Sequence, residues 1–417
     1  MKNKILAIMS IAIFLGYLPW YNYSAVVSYI SAEFGFTSSD TGMILSSFQL
    51  GYVIIVVITG RLADKIGPKK VIAWATLICG CSAVLFVFFA KGLMSVLFFR
   101  LLTGLSAGAM YVPGMSLLSN WFLPTERGKA VGAFTGAMAA SYAGGYFIAA
   151  PLAAAYGWQA GMLATSLPVF LGAFMLFAFV KERPGEADLK FDGKSGLSAF
   201  GAPIKPAPEG GFSGPILITS AYMGHMWELY AFWGWVGPFM TAVVVQAGMD
   251  AALGGLLSAL IIVVGAPAVY IMGTVADKIG RTKAITIAAA CSLVPQFFFG
   301  YMFGLPVPAV VCVGVWIGFW VIGDSAIFKA GLTDMISENI RGTILGIQSA
   351  VGYSMTIIAP MVFGKVLDML NPGVSTLEAT QWGPCFLMLG VGALLAPIMA
   401  LVLRRNRQAR LMAGGKM

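Results

Sequence analysis

The chain has 417 residues, 59% of them hydrophobic and only 10% charged, with a formal net charge of +9. A soluble domain carries roughly 25% charged residues, and a mean hydropathy of +0.86 is far more apolar than a water-soluble core of this length requires. The five cysteines, Cys79, Cys81, Cys291, Cys312 and Cys385, lie in apolar runs without metal-ligand spacing. His225 is the sole histidine, so a histidine metal site is excluded and no cofactor is implied.

Apolar stretches long enough to cross a bilayer, about 20 residues each, are predicted at 5–30, 40–60, 70–90, 93–119, 129–153, 159–180, 215–241, 251–273, 284–304, 308–332, 343–366 and 382–403. The expected class is an all-α integral membrane protein of twelve transmembrane helices, not an enzyme. The first run is too long and too aromatic for a signal peptide, and no small-residue cleavage site follows it. Glycine and proline interrupt the runs, as membrane helices tolerate.

Basic residues set the expected orientation. Of the 26 lysines and arginines, 22 fall on the side of the N-terminus, whereas the opposite side holds Lys91 and Lys365. The positive-inside rule then places both termini and the 181–214 loop in the cytoplasm, in a multi-pass protein of the cytoplasmic membrane. The net charge is therefore a topology signal. The tail arginines Arg404, Arg405, Arg407 and Arg410 face lipid headgroups rather than nucleic acid.

The spans repeat. Gly60-Arg-Leu-Ala-Asp64-Lys-Ile-Gly67-Pro-Lys-Lys recurs as Gly273-Thr-Val-Ala-Asp277-Lys-Ile-Gly280-Arg281-Thr-Lys, 213 residues on. Tyr17 and Trp20 recur as Tyr230 and Trp233 at the same offset, and Arg127-Gly recurs as Arg341-Gly at 214. Such agreement indicates duplication. It divides the chain into a six-helix half at 1–182, a cytoplasmic linker at 183–214 rich in Gly, Pro and Lys, and a second half at 215–417 ending in a basic tail. Parallel six-helix halves with a substrate site between them are a known transporter plan.

The Gly60–Lys70 loop between spans 2 and 3 resembles the signature of the major facilitator superfamily, and its copy stands between spans 8 and 9. Arg100-Leu-Leu-Thr-Gly104 in span 4 resembles that superfamily's second motif. The resemblance implies a monomeric rocker-switch transporter of a small solute, with spans 1, 4, 7 and 10 lining the cavity. It leaves the solute open. In this loop Gly60 permits close helix approach and Gly67 a tight turn. Asp64 with Arg127, and Asp277 with Arg341, are expected to latch the cytoplasmic face, with Arg281 in the second copy as a further gating residue.

Ionisable groups at membrane depth are functional hypotheses by default. They are Arg100 in span 4, His225 and Glu228 in span 7, and Asp324 and Lys329 in span 10. His225 and Glu228, three apart, share a helix face. Asp324 and Lys329, five apart, are poor partners for each other. Arg100 cannot give up its proton and is expected to meet an anion, either a carboxylate of this chain or a substrate. Tyr17, Trp20, Tyr21, Trp233, Gln348 and Tyr353 join Arg100, His225, Glu228 and Lys329 in the candidate substrate-binding set.

Two readings follow. In the first, Arg100, Lys329 and His225 hold a small organic anion, a carboxylate or sulfonate, while Glu228, Asp324 or His225 carries a coupling proton. In the second, a proton-driven exporter moves drugs or cationic metabolites against the buried carboxylates. The His225–Trp233 run resembles bacterial members grouped near the nitrate/nitrite porters, but the glycine signature and paired arginines of nitrate carriers are absent.

Overall fold

A computed structural model describes residues 2–122, 124–182, 211–336 and 338–415. Most of the expected linker, 183–210, lies outside the described residues. Twelve helices among the described residues are long and apolar enough to cross a membrane. In chain order they are α1 (Lys2–Phe34), α2 (Ser38–Ile66), α3 (Pro68–Phe89), α4 (Leu93–Trp121), α5 (Pro124–Tyr156), α6 (Trp158–Phe179), α7 (Ser213–Gln246), α8 (Ala251–Ile279), α9 (Arg281–Met302), α10 (Val307–Met335), α11 (Glu338–Leu370) and α12 (Gly383–Arg405). Among the described residues there is no β-strand. The expected all-α class of twelve spans is thus observed.

Local chemistry explains the ends. Thr37 and Asp40 close a reciprocal capping box at the start of α2. The turn into α3 needs positive φ, which Gly67 supplies at 91°, and Pro68 then takes the first helical position, where no N–H is needed. The second motif copy turns the same way, with Gly280 at φ 104° between α8 and α9.

The helix contacts also carry the repeat. A Cβ on Gly104 of α4 would fall into the Phe48 carbonyl oxygen of α2, and one on Gly51 would fall into the Leu101 carbonyl oxygen. In the second half a Cβ on Gly318 of α10 would strike the Ile261 carbonyl of α8, and one on Gly265 would reach the Gly318 oxygen at 2.8 Å. Gly51 and Gly265, and Gly104 and Gly318, are each 214 residues apart. Small residues that let backbones touch are a common basis of helix packing in lipid.

The chain forms two compact units. One comprises Met1–Gly193, Gly237–Ala259 and Val374–Glu378; the other comprises Lys194–Val236, Leu260–Gly373 and Ala379–Met417. Each contains a helix interrupted over four residues. In the first unit α1 leaves helical geometry at residues 18–21, where Pro19 removes a backbone donor. In the second, α10 does so at residues 321–324. The interruptions are not at repeated positions, so they belong to what distinguishes the halves.

Candidate functional site

In the first unit the break in α1 turns the carbonyls of Pro19 and Trp20 away from the helix. Arg100 of α4 reaches both, its Nη1 donating to Pro19 O at 2.9 Å and its Nη2 to Trp20 O at 3.0 Å. The guanidinium lies over the rings of Phe48, at 4.6 Å, and Tyr23, at 5.4 Å. It is 2% exposed. The expected anion is replaced by two carbonyl dipoles and two ring faces, which together solvate a buried cation. The Tyr17 hydroxyl donates to Ala107 O of the same helix at 2.9 Å. Trp20 is enclosed by rings, with Tyr17 stacked at 5.2 Å, Phe48 at 4.9 Å, Tyr52 at 4.8 Å and Tyr142 at 5.0 Å. Tyr21 stacks on Trp20 and meets Tyr142 edge-on. The first unit thus gathers Tyr17, Trp20, Tyr21 and Arg100 around one helix break.

In the second unit His225 of α7 spans the break in α10. Its Nδ1 lies 2.9 Å from Asp324 Oδ1, and its Nε2 lies 2.7 Å from Ser325 Oγ. Asp324 therefore pairs with another helix, with the only histidine in the sequence as its partner. His225 and Glu228 share a helix face, yet both ring nitrogens are committed to α10.

Lys329, one turn and a half beyond Asp324, turns elsewhere, as their spacing requires. Its Nζ donates to Ser349 Oγ of α11 at 2.7 Å and sits 4.5 Å over the Tyr222 ring. Among the described residues no carboxylate forms an ion pair with it. Tyr222 also stacks on His225 at 6.0 Å, so one ring stands against both the amine and the imidazole.

Gln348 is fully buried, its Nε2 directed to Phe328 O at 3.5 Å. Tyr353 meets Tyr230, and Tyr230 meets Trp233 at 5.9 Å. Trp235 and Trp227 serve packing. Trp235 Nε1 donates to Pro360 O and Trp227 Nε1 to Leu389 O. Glu228 is 3% exposed, with the Ser292 hydroxyl of α9 beside it.

The motif loops have their own electrostatics. Glu182 Oε1 accepts from the Lys69 backbone N–H at 2.9 Å, capping the N-terminus of α3 beside Gly67. Arg281 pairs with Asp277 one turn earlier, and its Nε lies 3.4 Å from Asp334 of α10. Gly60 lies within α2, but the side chains of Asp64, Arg127 and Arg341 fall outside the described residues, and their latch roles with them.

Ser325, Ser349, Tyr222 and Glu182 escaped the sequence reading. Hydroxyls on apolar spans are common and carry no signal of direction. Glu182, set between Lys181 and Arg183 after α6, was the one readable clue. The charged residues carry a further signal. His225, Glu228, Asp324 and Lys329 have Ala12, Leu15, Met110 and Met115 at offsets of 213 or 214. The repeated positions build helices and turns, and the unrepeated charges do not.

Residues 9–360 match the Major Facilitator Superfamily. The chain is 26% identical to a probable sulfoacetate transporter of Cupriavidus necator, over 94% of this chain and 92% of that one. It is 23% identical to the hexuronate transporter of Bacillus subtilis, over 88% of each. It is 25% identical to the gentisate transporter of Corynebacterium glutamicum, over 92% of this chain and 83% of that one. In fold it resembles a bacterial homologue of the human lysosomal transporter Spinster, with a TM-score of 0.78 at 14% identity, covering 97% of each chain. It also resembles the nucleoside transporter NupG, with a TM-score of 0.72 at 13% identity, covering 96% of this chain and 98% of that one. With twelve spans and a family match across most of its length, the chain is a multi-pass membrane transporter of the Major Facilitator Superfamily and not an enzyme.

Proposed function

We propose that the protein carries a small organic anion, a carboxylate or sulfonate, across the cytoplasmic membrane by alternating access coupled to protons, with both termini in the cytoplasm. One observation carries this reading: Lys329 is a half-buried cation within a membrane helix, held by a serine hydroxyl and a tyrosine ring, with no carboxylate partner among the described residues. A cation at that depth without a carboxylate partner is costly, and an anionic substrate would neutralise it. The sulfoacetate, hexuronate and gentisate named for its relatives are all small organic anions.

In this account Lys329 is the anion seat, and Tyr222, Gln348 and Tyr353 stand beside it in the same unit. The His225–Asp324 pair holds the α10 break and, with Glu228, supplies the proton-accepting groups. Tyr222 touches both His225 and Lys329, so a change in either bears on the other. Arg100 acts as the staple of the α1 break beneath Trp20, Tyr17 and Tyr21. Gly67, Asp277 and Arg281 form parts of the gating loops.

The competing reading, proton-driven export of cations, draws on Glu228, a buried carboxyl with no basic partner. Reconstituted proteoliposomes separate the two. Uptake of labelled sulfoacetate, gentisate or hexuronate, driven by an imposed pH gradient and lost in Lys329→Met, supports the anion carrier. Transport of lipophilic cations alone, insensitive to that substitution, replaces it with the exporter.

A further inference from the structure

Helix α9 presents Ser292, Gln296 and Phe299 at i, i+4 and i+7, a single face. Two points fix what that face meets. Ser292 lies against Glu228 of α7, and Phe299 lies 5.9 Å from Phe232, one turn along α7 from Glu228. Gln296 therefore falls on the α7–α9 seam, between a polar contact and an aromatic one. All three polar residues are sealed, with Gln296 at 0%, Ser292 at 1% and Glu228 at 3% exposure.

The hydrogen bonding of this seam is incomplete. Neither Gln296 Oε1 nor Nε2 has a partner, and Glu228 Oε1 has none. An unmet buried polar group is destabilising, and lipid offers no water from outside to relieve it. Among the described residues no cation forms an ion pair with the carboxyl. On α7 itself His225 is bound through both ring nitrogens to α10. From α10, Asp324 adds negative charge, and Lys329 is turned to Ser349 and Tyr222. At this seam α9 presents Ser292, Gln296 and Phe299, all neutral, α12 packs Gly392 against Trp227, and α11 contributes Tyr353 at Tyr230. Among the described residues there is no cluster of three or more His, Cys, Asp or Glu able to hold a metal ion.

We propose that Glu228, Ser292 and Gln296 form a buried site for one small monovalent cation, either a proton taken up on the carboxyl or a sodium ion coordinated by oxygen. The carboxylate supplies the charge, and the Gln296 carbonyl and Ser292 hydroxyl supply the remaining protein oxygens. The inference rests on the reading that transport is ion-coupled, and it separates the two ligands: the cation sits on the α7–α9 seam, the anion at Lys329 beside α11. Glu228 is then a coupling-ion group rather than a substrate contact.

The test uses the full-length protein in detergent without any organic anion, so its failure leaves the anion reading standing. Melting is followed as sodium chloride replaces choline chloride at fixed pH and ionic strength, and infrared difference spectra report protonated carboxyl groups. If sodium is the occupant, it raises the wild-type melting temperature saturably, and Glu228→Gln and Gln296→Leu each weaken its apparent affinity by about tenfold or more. If the occupant is a proton on the carboxyl, sodium has no effect, but a carboxylic-acid band is present that vanishes in Glu228→Gln and shifts in Gln296→Leu. Gln296→Asn, which keeps the amide, serves should Gln296→Leu fail to fold. The proposal is overturned if the wild type shows neither a sodium response nor such a band, or if either signal survives unchanged in both variants.

Discussion

Replacing Arg100 with leucine removes two charge-assisted hydrogen bonds, to Pro19 O and Trp20 O, and a cation held over two aromatic rings. The two carbonyls at the buried helix break would lose both of these donors. Each costs about 1–3 kcal/mol when left unmet, and the ring contacts add about 0.5–2 kcal/mol. The sum is roughly 3–8 kcal/mol, comparable with the roughly 5–15 kcal/mol net stability of a folded protein. Arg100→Leu should therefore fail to accumulate as a monodisperse species, or melt far below the wild type. Arg100→Lys keeps the charge but reaches fewer acceptors, because an ammonium lacks the planar fork. It should fold with a lowered melting temperature and keep its response to organic anions. Size-exclusion profiles and melting curves with and without anion measure both. If Arg100→Leu melts like the wild type, the staple role is refuted. If Arg100→Lys is stable but deaf to anions, Arg100 is a substrate group instead.

The His225–Asp324 pair should be strongly coupled. Removing His225 alone leaves a buried carboxylate uncompensated and should cost about 3–5 kcal/mol, whereas the His225→Ala/Asp324→Ala double variant should cost less than the sum of the singles, as a double-mutant cycle of melting data would show. Gly104→Ala drives a methyl into the Phe48 carbonyl and should cost about 1–3 kcal/mol or more, against near-neutrality at Gly132, where a Cβ meets nothing. In the loop before α12, the backbone N–H and hydroxyl of Ser375 donate to Glu378 and hold its carboxyl below the usual carboxylate range. The folded value is thus depressed, so the turn is held at and above the ordinary carboxylate range and loosens as pH falls through the lowered value. Amide exchange at Ser375 should rise over that acid window in the wild type but not in Glu378→Gln.

Much of the architecture was legible because a membrane leaves a strong imprint on composition. The twelve apolar runs, the motif loops and the offset of 213 to 214 residues led to the observed helices and their turns. The repeat was deeper than it first read, since Gly51, Gly104, Gly265 and Gly318 obey the same offset but look like ordinary membrane glycines until a carbonyl is seen against each one. The site was legible by residue type and not by partner. Buried charges announce themselves, so His225, Glu228, Asp324, Lys329 and Arg100 could all be named. Whether Arg100 meets a carboxylate or a carbonyl depends on the α1 break, for which Pro19 was a hint only. That His225 turns to Asp324 rather than to Glu228 depends on how α10 unwinds. Ser292 and Gln296 were invisible, because a polar residue on a peripheral span is as often harmless as functional.

The central claim is that Lys329 seats an organic anion, and a melting experiment tests it most directly. The purified protein is titrated with small carboxylates, sulfonates, inorganic anions, sugars and lipophilic cations, and each titration is repeated on Lys329→Gln. A ligand at a hundredfold excess over its Kd stabilises the folded state by about 2.7 kcal/mol. The account predicts a rise in melting temperature with an organic anion that is lost in Lys329→Gln while the apo protein still folds. A rise with cations alone, or an anion response that survives the loss of Lys329, would contradict it.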